Sequence, residues 1–183
     1  MRNKKLQLLV MSALLAALVC AATAVIHIPS PMNGYVNLGD CFVLLCGWLL
    51  GPYFGFFAAG AGSALADLLL GYPHYIPGTF VIKGLMAVTA WLLTKVLVNV
   101  FRGKVSAARI VSAVGAEAVM VVGYFLYASL LLGKGLAAAA SIPGNLIQGV
   151  CGAVSSVLIM EIFDRTGLSE KIVTAGYGNG KRY

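Results

Sequence analysis

The sequence is poor in charge. Of its 183 residues, 10% are Asp, Glu, Lys or Arg and 60% are hydrophobic, and the mean hydropathy is +0.92. Soluble domains carry about 25% charged residues, so the composition excludes a water-soluble globule and indicates a protein solvated by lipid. Acidic residues are scarcest, at 6 against 13 basic ones. Because Lys and Arg of membrane proteins are retained on the cytoplasmic side, the net charge of +7 indicates orientation and not nucleic-acid binding.

Catalytic and nucleotide-binding motifs are also missing. The sequence has no GxxxxGK[ST] phosphate loop, no HExxH zinc motif and no serine nucleophile elbow. His74 has no second ligand at a metal-binding spacing. Four cysteines lie in apolar stretches without CxxC spacing, which predicts inert core thiols: Cys20, Cys41, Cys46 and Cys151. We expect no enzyme activity, no cofactor and no metal, and any driven transport must take its energy from another subunit.

Long apolar runs are present in place of these motifs. A bilayer-spanning helix needs about 20 mainly apolar residues, and Pro- and Gly-rich breaks separate runs of that order. The pattern predicts an all-α membrane protein with six transmembrane helices, at 6–28, 38–50, 53–70, 79–101, 107–132 and 142–163. Residues 1–165 then form one transmembrane domain and 166–183 a cytoplasmic tail. The first run imitates a signal peptide but is long enough to span, so we interpret it as a retained helix.

Basic residues predict the orientation. Most of them fall at the N-terminus, in the fourth break or in the C-terminal tail: Arg2, Lys4, Lys5, Arg102, Lys104, Arg109, Arg165, Lys171, Lys181 and Arg182. Six spans put these three regions on one side, which predicts that both termini are cytoplasmic. Polar side chains gather on the opposite, outer half. This asymmetry favours a protein that captures a solute from outside over a complete permeation path.

The candidate substrate-binding residues share the outer position. They are Asn33, Tyr35, Asn37, Asp40, Asp67, Tyr72, His74, Tyr75, Lys83, Tyr124, Asn145 and Gln148. Amides and carboxylates there can bind the donors of a polar heterocycle, and aromatic rings can stack on it. A carboxylate within a span is costly and usually partnered. Lys83, at a similar depth, is a candidate partner for Asp67, and such a pair would be either a structural clamp or the floor of a pocket.

Several of these residues have structural alternatives. Asn37 and Asp40 fit an N-cap and a first-turn acid of the second helix. The aromatic loop 71–78 fits either a lid over a planar ligand or ordinary interfacial belt residues. Asn145 and Gln148 fit hydrogen bonds between helices as well as a pocket. For Glu117, deep in the fifth span, a buried hydrogen bond with a protonated carboxyl ranks ahead of ligand or ion binding.

The first helix carries small residues at four-residue spacing. Ala13, Ala17 and Ala21 form one row, and a neighbouring row contains Ser12, Ala16, Cys20 and Ala24. Such rows let another helix approach closely. Two interpretations stay open at this stage, packing within the protein and docking against a separate membrane subunit.

The order of short motifs resembles a known family. The segments are Asn37-Leu-Gly-Asp40, Leu49-Leu-Gly-Pro52 with Gly55, Gly62-Ser-Ala-Leu-Ala-Asp67-Leu-Leu-Leu-Gly71-Tyr, and Phe80-Val-Ile-Lys83-Gly-Leu. Together they resemble the substrate-binding S components of energy-coupling-factor (ECF) transporters, and within them the riboflavin-like group. The similarity is densest over residues 37–90, and the length and six-helix plan agree over 1–165.

The resemblance implies a receptor in a prokaryotic plasma membrane. It implies high-affinity capture of a water-soluble vitamin or precursor, and delivery to a transmembrane coupling subunit driven by two cytoplasmic ATPases. The family docks through small residues of its first helix, which here correspond to Ala13, Ala17 and Ala21. The aromatic and amide residues suit a vitamin B6 compound or a hydroxymethylpyrimidine at least as well as riboflavin. The alternative is a standalone proton-coupled carrier, for which Glu117 and Glu161 are the obvious titratable groups.

Overall fold

The chain is almost entirely helical. A computed structural model describes residues 4–30 and 34–177. In chain order the elements are α1 (Lys4–Val25), β1 (His27–Ser30), β2 (Gly34–Asn37), α2 (Asp40–Leu69), α3 (Ile76–Val100), α4 (Val105–Leu126), a π-helical turn (Tyr127–Leu131), a 3-10 helix (Gly135–Ser141), α5 (Ile142–Arg165) and α6 (Leu168–Tyr177). Five of the described segments are long and apolar enough to cross a membrane. The helical membrane class predicted from composition is confirmed.

Helix α2 is sharply broken at Gly51, where the sequence predicts a boundary. Gly51 has φ 71° and ψ −171°, a conformation that glycine adopts without a Cβ penalty, and Pro52 follows it. A Cβ built on Gly55 would lie 2.7 Å from the Cys46 carbonyl oxygen. Residues nine apart in a continuous helix are about 13 Å apart along the axis. The second arm of α2 (residues 52–69) therefore runs back along the first arm (residues 40–50).

The two arms agree closely with the predicted segments 38–50 and 53–70, although the first arm is shorter than a transmembrane span. The first arm has a length of about 16 Å at 1.5 Å per residue, which is too short for a hydrocarbon core of about 30 Å. Both ends of α2 consequently lie at the same end of the bundle. Hydropathy could not reveal this, because a short buried arm is as apolar as a spanning one.

A β-hairpin, which the sequence reading missed, joins α1 to α2. Strands β1 and β2 are antiparallel and pair His27 with Asn37 and Pro29 with Tyr35. The first helix ends at Val25, three residues before the predicted end of the span. Side chains two apart on a strand face the same side, so Tyr35 and Asn37 share one face.

The interior and the surface are both apolar, as expected for a protein surrounded by lipid. The core is built on the first arm of α2, where Val43, Leu44 and Leu50 are fully buried, and it is packed by α1, α3, α4 and α5. Large apolar side chains also cover the outside of the helices, such as Leu14 and Phe57. In water such a surface would be an aggregation liability, whereas in lipid it is the solvated face.

At the end of the bundle opposite the hairpin, a buried arginine forms an ion pair that links two helices. Arg109 on α4, 1% exposed, is ion-paired with Asp164 on α5, and Ser169 on α6 donates a hydrogen bond to the same carboxylate. The predicted C-terminal tail thus begins with α6, a helix that packs on α1 and α5.

Close packing between α2 and α3 gives the first testable prediction. A Cβ on Gly47 would collide with the backbone carbonyl oxygen of Ala87, whereas a Cβ on Gly115 would meet only the flexible Leu93 side chain, at 2.5 Å. We expect Gly47→Ala to destabilise the fold by about 1–3 kcal/mol through overpacking. Its melting temperature in detergent should fall relative to the wild type. Gly115→Ala is the matched control, and equal melting temperatures for the two variants would contradict the prediction.

Candidate functional site

A small polar cavity lies at the end of the bundle that carries the β-hairpin. It has a volume of about 40 Å³ and is lined by Tyr35, Asn37, Asp67, Tyr75, Thr79, Tyr124, Ser141, Asn145 and Gln148. Seven of these nine residues are among the predicted substrate-binding residues. The volume holds only a few water molecules.

Tyr35 anchors one wall of the cavity. Its hydroxyl donates a hydrogen bond of 2.6 Å to Asp67 Oδ1. Burial, and then the Asp67 charge, raise the pKa of the Tyr35 hydroxyl well above its ordinary value, so it stays protonated and remains a donor. The second carboxylate oxygen, Asp67 Oδ2, is buried and has no hydrogen-bond partner among the described residues.

Beneath this wall lies a buried polar network that links α2, α3, α5 and β2. Lys83 on α3, 3% exposed, is ion-paired with Asp40 Oδ1, and Gln148 Nε2 donates a hydrogen bond of 2.6 Å to Asp40 Oδ2. Gln148 Oε1 in turn accepts the Asn37 backbone N–H at 2.9 Å. Both oxygens of the Asp40 carboxylate are therefore occupied by protein groups.

The predicted pairing of Lys83 with Asp67 is corrected by this network. Lys83 is hydrogen-bonded to Asp40, although its ammonium group is also near enough to interact electrostatically with Asp67. The reversal at Gly51 brings both carboxylates to the same end of the bundle, so Lys83 had two candidate partners where the sequence pattern suggested one. Asp40 and Lys83 do not line the cavity but lie in the layer that supports it.

The N-cap interpretation of Asn37 is also corrected. Helix α2 begins at Asp40 with Gly39 as its N-cap, and no side chain caps it. Asn37 Oδ1 instead accepts the Gly39 N–H at 2.8 Å, a local turn of the kind that Asn side chains favour. Asp40 is in the first turn as predicted, but its carboxylate binds Lys83 and Gln148.

The aromatic loop contributes one residue to the cavity. Only Tyr75 lines it, while Tyr72 packs on Tyr35 with ring centroids 4.9 Å apart. His74 is exposed and lies 4.7 Å from the Tyr75 ring. Lys134, next to the 3-10 helix, donates a hydrogen bond of 3.2 Å to the Tyr75 hydroxyl. The loop is therefore tied to the segment that precedes α5.

Two lining residues were not among the predicted set. Thr79 accepts a hydrogen bond of 3.1 Å from the Tyr124 hydroxyl, and Ser141 is the residue before α5. Thr79 lies one helical turn before Lys83, a spacing that could have identified it. Ser141 follows a run of alanines and carried no such signal. Asn33, which was predicted, lies outside the described residues.

Glu117 lies behind the cavity, between α4 and α5. A Cβ on Gly152 would lie 2.7 Å from Asp40 Cβ and 2.8 Å from Glu117 Oε1, so the two acids are neighbours. No described residue donates a hydrogen bond to either Glu117 oxygen, and Asp40 is the neighbouring acceptor for the hydrogen bond predicted for a protonated Glu117. Glu161 is at the far end, 41% exposed and paired with Arg165.

The two small-residue rows of α1 differ in how exposed they are. Ala13, Ala17 and Ala21 are all exposed. In the neighbouring row Cys20 is buried, and Ala16 packs against α2 so closely that a Cβ on Gly62 would collide with the Ala16 carbonyl oxygen. Internal packing therefore explains the second row but not the first.

These features define a class of protein: a helical membrane protein that encloses a polar cavity at one end and leaves a small-residue face open on its first helix. The family model for the ECF-type riboflavin transporter S component matches residues 3–165. The chain belongs to this family, which is one of transporter subunits and not of enzymes.

Two further similarities agree with this assignment. The chain is 36% identical to a Pyrococcus woesei protein described as an uncharacterized protein in a gap 3′ region, over 137 residues that make up 74% of this chain and 87% of that one. It also superimposes on the S component of a bacterial ECF transporter with a TM-score of 0.65, at 21% identity, covering 87% of this chain and 96% of that one. At 21% identity, this structural similarity shows that the two proteins share a fold, and no more.

The Asp40–Lys83 pair gives the second testable prediction. Removing one partner of a buried ion pair leaves an uncompensated charge and costs about 3–5 kcal/mol. We expect Lys83→Met and Asp40→Asn each to lower the melting temperature. The double variant should lose less stability than the two single variants lose in sum, because it removes both charges together. Strictly additive losses in a double-mutant cycle would show that the pair is not coupled.

Proposed function

We propose that this chain is the substrate-binding subunit of an ECF transporter and captures a water-soluble vitamin or precursor from outside the cell. The small polar cavity at one end of an otherwise apolar bundle is the observation that carries this proposal. Its lining combines aromatic rings, amides and one carboxylate, the groups that orient a small polar heterocycle.

The distribution of ionisable groups favours a receptor over a standalone proton-coupled carrier. A carrier of that kind needs a relay of titratable groups across the membrane. Beyond Glu117, the buried positions toward the far end include Ala113, Ser156 and Met160, and the Ser156 hydroxyl is bonded to its own helix. Glu161 is exposed and paired with Arg165, so it does not extend a relay.

The cavity favours a small substrate. Its volume of about 40 Å³ is far below the roughly 300 Å³ at the lower end of ligand pockets, so any ligand must displace lining side chains. A single-ring compound requires the least displacement. We therefore favour a vitamin B6 compound or a hydroxymethylpyrimidine, with the three-ring riboflavin next.

The orientation and partners follow from the charge pattern and the family. We propose that both termini are cytoplasmic in a prokaryotic plasma membrane, because the basic residues cluster at the end away from the cavity. We also propose that six helical segments lie in the membrane, and this count includes the short first arm of α2. Its partners are then a transmembrane coupling subunit and two cytoplasmic ATPase subunits.

Reconstituted uptake tests the proposed function. The chain should bind a solute alone but accumulate it in vesicles only when the coupling subunit, both ATPases and ATP are present. Mass spectrometry of molecules that co-purify with the chain identifies the solute. Accumulation by the chain alone, driven by a proton gradient, would establish the carrier and reject the subunit.

A substitution on α1 tests the docking face. Ala17→Leu adds bulk to the exposed row, so it should abolish co-purification of the coupling subunit while ligand affinity stays within about twofold of the wild type, since close helix approach requires small residues. Ala118→Leu makes the same change on the exposed face of α4 and should leave assembly intact. Unimpaired assembly of the Ala17→Leu protein would remove this face from the interface.

A further inference from the structure

The cavity contains a strong hydrogen-bond acceptor that the protein leaves open. Asp67 is 2% exposed, and its Oδ1 is bound to the Tyr35 hydroxyl. Asp67 is one of the residues that line the cavity, and its Oδ2 is buried and makes no hydrogen bond with any described residue, although the Thr79 hydroxyl lies near the carboxylate. Leaving a buried carboxylate oxygen unpaired is costly. The arrangement is completed by a ligand that donates a hydrogen bond there.

The neighbouring charges restrict the ligand's charge. Asp40, Asp67 and Glu117 are three buried acids around the cavity, and Lys83 is the one buried cation beside them among the described residues. Lys83 is already paired with Asp40. Arg109, the other described buried cation, is paired with Asp164 at the far end, so no described buried cation is left to pair with an anionic ligand. At the rim, His74 is exposed and the Lys134 ammonium is bonded to Tyr75. An anionic ligand would therefore bury a negative charge beside these acids without a cation to pair with it, which is unfavourable.

The remaining lining supplies a slot for a ring and a second polar contact. Tyr35, Tyr75 and Tyr124 surround the cavity with aromatic surface, which favours a planar ligand. Asn145 is 8% exposed, and its carboxamide makes no hydrogen bond within the described ranges. It therefore offers a donor and an acceptor to a ring substituent on the α5 side.

We propose that the ligand is a single-ring nitrogen heterocycle, neutral or cationic, that donates a hydrogen bond to Asp67 Oδ2, and that carboxylate and phosphate compounds are rejected. This inference rests on the proposed function, since it takes the cavity as the substrate site. It goes further because it states which charge the substrate carries and which hydrogen bond the substrate donates to Asp67.

Two matched ligand series test the selection. One is a pyridine that carries aminomethyl, hydroxymethyl or carboxylate at the same ring position. The other is a hydroxymethylpyrimidine with a 4-amino group or with a 4-methoxy group that lacks the donor. Calorimetry on the chain in nanodiscs should show the aminomethyl or hydroxymethyl compound binding at least about 10-fold tighter than the carboxylate, and the amino compound tighter than the methoxy one, as for a hydrogen bond to a charged group.

Substitutions separate a role of Asp67 in selection from a role in folding. Asp67→Asn should weaken the tightest ligand by about 10- to 100-fold and reduce the discrimination against the carboxylate. Glu161→Gln makes the same chemical change at the exposed far end and should alter neither. Asn145→Asp adds a negative charge to the lining, so it should increase the preference for cation over anion even if Asp67→Asn does not fold. An unchanged preference in folded Asn145→Asp, or unchanged affinities in folded Asp67→Asn, would overturn the inference.

If neither ligand series binds, the molecule that co-purifies with the chain tests the inference. An uncharged or cationic nitrogen heterocycle identified by mass spectrometry would support the inference. A carboxylate or phosphate would overturn it and leave the proposed function intact, because the chain would still be a substrate-binding subunit. Failure of the assembled transporter to accumulate any solute would overturn the proposed function, and the inference with it.

Discussion

The reversal of α2 at Gly51 is the constraint on which the cavity depends. Asp40 and Asp67 are 27 residues apart, and a continuous helix would separate them by about 40 Å. The positive φ at Gly51 and the proline after it turn the chain back within one residue. Both carboxylates consequently reach the same end of the bundle, where β2, α3 and α5 contribute their partners. A residue with a Cβ at position 51 would oppose this backbone conformation, so the position of the acids depends on one glycine.

The two carboxylates then differ in how completely the protein satisfies them. Asp40 binds Lys83 through one oxygen and Gln148 through the other. Burying an ion pair is favourable only when its remaining hydrogen-bonding capacity is also filled, and Gln148 fills it. Asp67 has one oxygen bound to Tyr35 and the other open to the cavity. Two acids of the same type, at the same end of the bundle, thus have different tasks. One links helices through both of its oxygens, and the other keeps one oxygen without a partner among the described residues.

Helix α1 shows how closely a packing surface and a free surface can resemble each other in sequence. Its two rows of small residues have the same four-residue spacing, and Ala16 and Ala17 are adjacent in the chain. Ala16 contacts the backbone of α2 at Gly62, while Ala17 is exposed. The spacing indicates that each row can accept a helix. Only the position of α2 decides which row is already occupied.

The sequence by itself determined the lipid-solvated helical class, the break at Gly51 and most of the residues around the cavity, because these follow from local composition, glycine and proline geometry, and the cost of polar groups in hydrocarbon. It did not determine the pairing of β1 with β2 or the partner of Lys83. Those depend on which segments meet in space. The pattern of charges along the chain indicates the level in the membrane at which Lys83 lies. Two carboxylates lie at that level, because α2 turns back on itself. Tertiary structure therefore decided which acid is neutralised and which one is left open, since hydrogen bonding of a buried charge requires atoms within about 3 Å and not merely at the same level.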